Sequence, residues 1–241
     1  EEIVAAIKPE TKVVFGETIA NPTISVLDIE AFAAAAHEKG LPLVIDNTFA
    51  TPYLCRPFGY GADIVIHSTT KYLDGHAEVV GGVIVDSGNF PWDNGNFPEF
   101  TTPDDSYHGV VYTKDFGKAA FITKARVQMM RDLGCYQSAQ GAFLLNNGIE
   151  TLAVRMERHC SNADKVAHWL AQQDKVEMVS YPTLENDPYH ERAKKYLPKG
   201  CSGVIAFNLK GGRDAGVRFI DSLEMISLVV HVADIRTCVL H

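Results

Sequence analysis

Lys71 has the strongest setting for covalent chemistry in this chain. It follows the apolar run Ile64-Val65-Ile66, with Ser68, Thr69 and Thr70 just before it and Tyr72 just after. An amine held near low-dielectric surroundings has a depressed pKa and can form a Schiff base with a carbonyl; a solvated surface lysine is the plain alternative. The Ser68 and Thr70 hydroxyls suit a phosphate beside that amine, or only the turn chemistry of a strand end. Asp46 closes a second apolar run, Leu43-Val44-Ile45. A partly buried carboxylate there needs a partner. A helix N-cap or an ion pair would serve, and so would a pyridinium nitrogen that the carboxylate keeps protonated. Lys71 follows Asp46 by 25 residues and Asp46 follows Asn21 by 25, an interval that suits one crossover between neighbouring strands.

Open parallel sheets present functional groups at the carboxyl ends of their strands. Residues 12–15, 43–45 and 64–66 read as buried strands, running out to Glu17 and Asn21-Pro22, to Asp46-Asn47-Thr48, and to Ser68 through Lys71. Ile29, Phe32, Ala33 and Ala36 share a helical face, and Gly40 supplies the stop. Residues 79–85 read as a fourth strand. The expectation is an α/β layer whose mostly parallel sheet is covered on both faces. Residues 86–116 mix Gly, Pro, Asn and aromatic residues, the texture of a packed functional loop. Helical patterns return over 119–133 and 140–173. The last third reads as a smaller α+β unit, with strands at 176–179, 204–207 and 226–230 and helices at 189–196 and 214–223.

The chain has 241 residues and a formal net charge of −8, which argues against nucleic acid or an anionic membrane surface as its main partner. No apolar run is long enough to span a membrane. Cys55, Cys135, Cys160, Cys201 and Cys238 are odd in number and widely spaced, so neither a disulfide framework nor a zinc site is expected. Reduced thiols in a cytoplasmic protein are the expectation. His76, His108 and His159 lack metal-ligand spacing and read as structural.

Three segments carry a family resemblance: Glu17-Thr18-Ile19-Ala20-Asn21-Pro22, Val44-Ile45-Asp46-Asn47-Thr48-Phe49 and His67-Ser68-Thr69-Thr70-Lys71-Tyr72. Together they resemble the fingerprint of the Cys/Met-metabolism enzymes dependent on pyridoxal phosphate. Gly75 through Gly82 matches the family's segment just after the lysine, and Gly148-Ile149-Glu150-Thr151-Leu152 with Arg155-Met156 matches the family's linker helix. The resemblance implies a fold-type I transferase, with a cofactor domain over 1–147 and a smaller C-terminal domain over 148–241. It implies that Lys71 carries the cofactor, Asp46 faces the pyridine nitrogen, Ser68 and Thr70 touch the phosphate, and Asn21 approaches the ring's 3-oxygen. Thr48 joins the cofactor-binding set, and no metal is implied.

Ser106-Tyr107-His108-Gly109-Val110-Val111-Tyr112 and Phe116 through Phe121 look like the O-acetylhomoserine sulfhydrylase branch. That branch implies γ-replacement of acetate by sulfide or a thiol, on a homodimer with shared active sites that pairs into a tetramer. Two departures stand out. The usual Ser-Pro pair opening the linker helix is replaced around Gln137-Ser138, and His231 stands where the branch commonly has Asn. A polar or site-lining role is expected for His231, with a proton relay as the alternative.

The rivals are a cystathionine γ-synthase, a γ-lyase or a methionine γ-lyase on the same scaffold, and a non-catalytic assembly fragment. A dinucleotide-dependent dehydrogenase would need a G-x-G-x-x-G after the first strand, and none is present there. Neither Glu1 nor His241 reads as a natural terminus. The expectation is an internal portion of a larger enzyme, whose remaining segments supply a stacking tyrosine, a Gly-rich phosphate cradle and a carboxylate-binding arginine.

Overall fold

Runs of β-branched and apolar residues form the sheet that organises the first half of the chain. The computed structural model describes residues 2–241. Strands β1 (Val14–Glu17), β2 (Leu43–Asp46), β3 (Ile64–Ser68) and β4 (Gly82–Asp86) lie in that order. The first three are parallel, whereas β4 runs antiparallel to β3. The link from β3 to β4 holds one helical turn and a bend and no helix to cross over the sheet, and the chain returns antiparallel. β4 also starts three residues later than the apolar run suggests. Gly81 is drawn out of the ladder, its C=O accepting from Thr69 N and its N–H donating to Thr70 Oγ1.

Helix α1 (Ile29–Glu38) follows β1 and buries Ile29, Ala33 and Ala36, one stripe at helical spacing. Its N-cap is Asp28, which accepts from Ala31 N. At its other end, His37 meets the Asp63 carboxylate at 2.8 Å, and Asp63 also accepts from Leu43 N, so helix and sheet share one anchor. Leu43, Ile45 and Val65 are buried on one sheet face. The other face, which carries Glu17 and Asp46, leaves Phe15 53% and Ile84 47% exposed. The sheet is mostly parallel, as expected, with β4 its one antiparallel strand, and coverage of both faces is incomplete among the described residues.

The aromatic stretch is a packed minor core. Trp92 stacks on Phe121 at 5.1 Å and on Phe100 at 4.6 Å, with Phe90 and Phe97 edge-on. Short helices at Pro98–Thr101 and Tyr112–Phe116 interrupt what reads as loop. Asp104 closes the assembly by accepting from Lys124 Nζ, Gln128 Nε2 and Ser106 Oγ, and the Ser106 hydroxyl and the Lys124 ammonium hold its carboxyl down at about 2. Trp92→Ala should cost about 3–5 kcal/mol of stability, read in denaturant unfolding, because a large buried ring leaves a cavity that stacked neighbours cannot fill. A loss within about 0.5 kcal/mol, the range of an ordinary surface substitution, would show that the aromatic segment is not core.

The helical pattern over 140–173 is two helices, α2 (Ala139–Glu150) and α3 (Leu152–Leu170), broken at Thr151. Ser138 caps α2 by accepting from Gly141 N at 3.0 Å, so the helix starts without the proline of the related pattern. α3 buries Leu152, Met156, Cys160, Ala163, Ala167 and Leu170. Beyond it come β5 (Val176–Ser180), α4 (His190–Tyr196), β6 (Ala206–Leu209) and α5 (Gly212–Asp221), with β5 and β6 antiparallel. A small parallel pair, β7 (Ser227–Leu228) and β8 (Cys238–Val239), ends the chain. β6 starts two residues later than expected, after Ser202 takes a left-handed φ of 74°. No helix among the described residues is long and apolar enough to cross a membrane.

Candidate active site

Three parallel strands bring their carboxyl ends to one edge, as the residue pattern requires. In register, Glu17 lies beside Asp46 and Asp46 beside Ile66, so Glu17, Asp46 and Ser68 share a sheet face along that edge. Lys71 comes next, in the turn Thr69–Leu73, whose wide loop closes with Asp74 N donating to Thr69 O. Inside that turn Lys71 itself is non-helical, at φ −92° and ψ −132°. Such wide single turns recur at functional sites.

The hydrogen bonds around Asp46 orient it. Thr48 N donates to Asp46 Oδ1 at 2.9 Å, and Ser68 N donates to Thr48 Oγ1 at 2.8 Å, linking the ends of β2 and β3. Asn47 is fully buried; its Oδ1 accepts from Thr18 Oγ1, and its Nδ2 donates to the carbonyls of Thr51 and Cys55. The turn after β2 is thereby fixed from both sides. Thr70 Oγ1 accepts from Gly81 N at 3.0 Å and donates to Gly81 O at 3.3 Å. A hydroxyl has one proton, so Thr70 must release Gly81 O to donate elsewhere. Thr69 Oγ1 is buried without a partner among the described residues.

Two groups add features that the motifs did not single out. Burial and the neighbouring Asp46 charge raise the Glu17 carboxyl above its ordinary range, while the Asn21 N–H opposes them. Each carboxylate is the last residue of its strand, which is the signal that could have paired them. His67, inside the lysine segment, is buried with Nδ1 unpartnered, and burial lowers its pKa against the pull of Asp46.

Asn21 is exposed and precedes a cis bond to Pro22; its backbone, not its side chain, meets the cluster at Glu17. His231 lies further along the chain with Nε2 buried and unpartnered, and its C=O accepts from Cys238 Sγ. Burial raises the Cys238 thiol, the Asp234 charge adds to that rise and the Lys71 charge opposes it. A groove of about 400 Å³ opens beyond Glu17, lined by Phe15, Ala20, Tyr189 and Arg192, and it includes neither Lys71 nor Asp46.

Pyridoxal phosphate needs an amine for its aldehyde, an anion for its ring nitrogen and donors for its phosphate. Lys71 forms no ion pair among the described residues. Asp46 uses Oδ1 for Thr48 N, and hydroxyls stand at 68, 69 and 70. A positive ring nitrogen would also relieve the repulsion between Asp46 and Glu17. The residues present fit the group.

The whole chain, residues 1–241, matches the family described as Cys/Met metabolism PLP-dependent enzyme. It is similar to an O-acetyl-L-homoserine sulfhydrylase of Leptospira meyeri, 46% identical over 96% of this chain and 54% of that protein. A homocysteine/cysteine synthase of Saccharomyces cerevisiae is 44% identical over 100% of this chain and 57% of its own length. Among solved structures, a putative O-acetylhomoserine (thiol)-lyase of Campylobacter jejuni superposes with a TM-score of 0.93 at 35% identity. That match covers 98% of this chain and 57% of the other, which carries N'-pyridoxyl-lysine-5'-monophosphate. The chain spans little more than half the length of the curated relatives it matches. With a fold-type I architecture and a family match from end to end, the chain belongs to the PLP-dependent enzymes of Cys/Met metabolism.

Proposed function

We propose that this protein replaces the acetate of O-acetylhomoserine by sulfide or a thiol, forming homocysteine or methionine. The observation that supports this most is the convergence of Lys71, Asp46 and Ser68 at one sheet edge, in a chain 46% identical to a sulfhydrylase. When bound, the cofactor supplies an electron sink for the charge left as a proton departs the substrate's α-carbon.

Lys71 Nζ would hold the cofactor, and its free amine would take the substrate's α-proton as general base. Asp46 keeps the proton on the ring nitrogen, oriented by the Thr48 N–H at Oδ1. Thr48 Oγ1 in turn holds Ser68 N, so Asp46 and Ser68, which would hold the ring nitrogen and the phosphate, are set together. Ser68 and Thr70 donate to the phosphate, Thr70 by turning its proton away from Gly81 O. Asn21 would approach the ring's 3-oxygen.

The same reading assigns the cofactor unit to 1–147 and the smaller unit to 148–241, and it takes the enzyme as a cytoplasmic homodimer, paired into a tetramer. Exposed Phe143, Val154 and Trp169 on α2 and α3 support association. Nucleic acid and membrane are not among the proposed partners. Incubation with O-acetylhomoserine and sulfide should yield homocysteine and acetate in equal amounts. Formation of oxobutyrate without a thiol, or turnover only with cysteine as the thiol, would assign the protein to the lyases or the cystathionine synthases instead.

A further inference from the structure

The turn that carries Lys71 ends abruptly, and its carbonyls need partners. Asp74 N takes Thr69 O and Gly75 N takes Lys71 O, then the chain leaves through Gly75 at φ +74°. No later residue of the turn reaches the carbonyls of Tyr72 and Leu73. Arg155 does, from α3. Its Nη1 donates to Tyr72 O at 2.8 Å, and its Nη2 donates to Gly148 O at 2.7 Å, with Leu73 O at 3.5 Å. Its Nε donates to Thr151 Oγ1 at 3.1 Å. The guanidinium is half-buried, and it makes no ion pair among the described residues. Burial lowers its pKa and the Asp74 charge opposes that. All three of its nitrogens are therefore directed at the lysine turn and the α2–α3 junction.

The surroundings are shaped to this contact. A side chain at Gly75 would overlap the guanidinium, and one at Gly148 would overlap Asp74 O. Tyr72 adds a second tie: its hydroxyl accepts from Gly203 N at 2.9 Å, and its ring packs edge-on to His159 at 5.3 Å. Residues before Lys71 are held by Gly81 and residues after it by Arg155. A non-helical lysine inside a helical turn is set by the groups that grip both sides.

We propose that Arg155 is a positioning residue for Lys71. It holds the two carbonyls just after the lysine, and so couples the amine's position to the α2–α3 junction. This rests on the reading of Lys71 as the cofactor-bearing amine. A lysine at 155 could satisfy these carbonyls only in part, because its point charge lacks the planar fork.

The test uses the native enzyme stripped of cofactor. Pyridoxal phosphate is added, the linkage is trapped with borohydride at timed intervals, and the label is located by peptide mass. Arg155→Met should slow labelling of Lys71 by about ten- to a hundredfold, the effect of a small misplacement of a reacting group. It should also lower kcat more than it raises KM. Arg155→Lys should recover part of the rate. Leu170→Ala, at the far end of α3, provides a variant destabilised without touching the turn, and its labelling rate should match the unsubstituted protein. Labelling of Arg155→Met at the unsubstituted rate, or equal slowing by Leu170→Ala, would overturn the proposal. Should Arg155→Met fail to fold, Arg155→Lys decides alone, and an unchanged rate overturns the idea. If the unsubstituted protein takes no label on Lys71, the cofactor reading itself fails, and the positioning role with it.

Discussion

Lys71→Ala should abolish turnover and remove the visible band of the cofactor linkage, while leaving the fold intact. Proton transfer by a placed side chain is worth roughly 10²–10⁴-fold on its own, and on the proposed reading this lysine would also hold the cofactor covalently, so the loss should exceed that range. The fold should survive because Lys71 makes no ion pair among the described residues, and the turn's stability rests on Tyr72, Gly81 and Arg155 instead. Circular dichroism and a thermal melt would check the fold; steady-state assay and a visible spectrum would check the chemistry. An enzyme that kept turnover without Lys71 would need another amine in the same place.

Asp46→Asn should lower kcat by about 10²–10³-fold, the usual effect of removing one preorganised electrostatic group. The cofactor should still be attached to Lys71. The substitution is nearly isosteric, and an asparagine Oδ1 can still accept from Thr48 N, so the local hydrogen bond survives. What would be lost, on the proposed reading, is the negative charge that would keep the ring nitrogen protonated. Asp46→Asn would also relieve Glu17, whose carboxyl is raised partly by that charge. A kcat within a few-fold of the native enzyme, with KM alone altered, would reduce Asp46 to a binding contact.

The convergence of site residues was legible because it comes from strand direction. Apolar runs ending at Glu17, Asp46 and Ser68 in parallel strands must place those ends together, whatever the details of packing. Other features depended on contacts that no local pattern encodes. The helical pattern runs through Leu145, Ile149, Leu152 and Met156 at three- and four-residue spacing, so the break at Thr151 is invisible to periodicity. β4 reads as one more buried strand, yet the link from β3 carries the lysine turn rather than a crossover helix, β4 returns antiparallel, and Gly81 leaves the ladder for Thr69 and Thr70. Arg155 and Tyr72 are 83 residues apart, and only the folded chain shows that one closes the other's turn. The Glu17–Asp46 neighbourhood likewise needs strand register, which hydrophobic pattern sets only through face alternation.

Borohydride reduction of the cofactor-loaded enzyme, with peptide mapping of the product, tests the central claim most directly. The account predicts one pyridoxyl group per chain, on the peptide containing Lys71. A label on any other lysine, or a fully active enzyme with none, would contradict it.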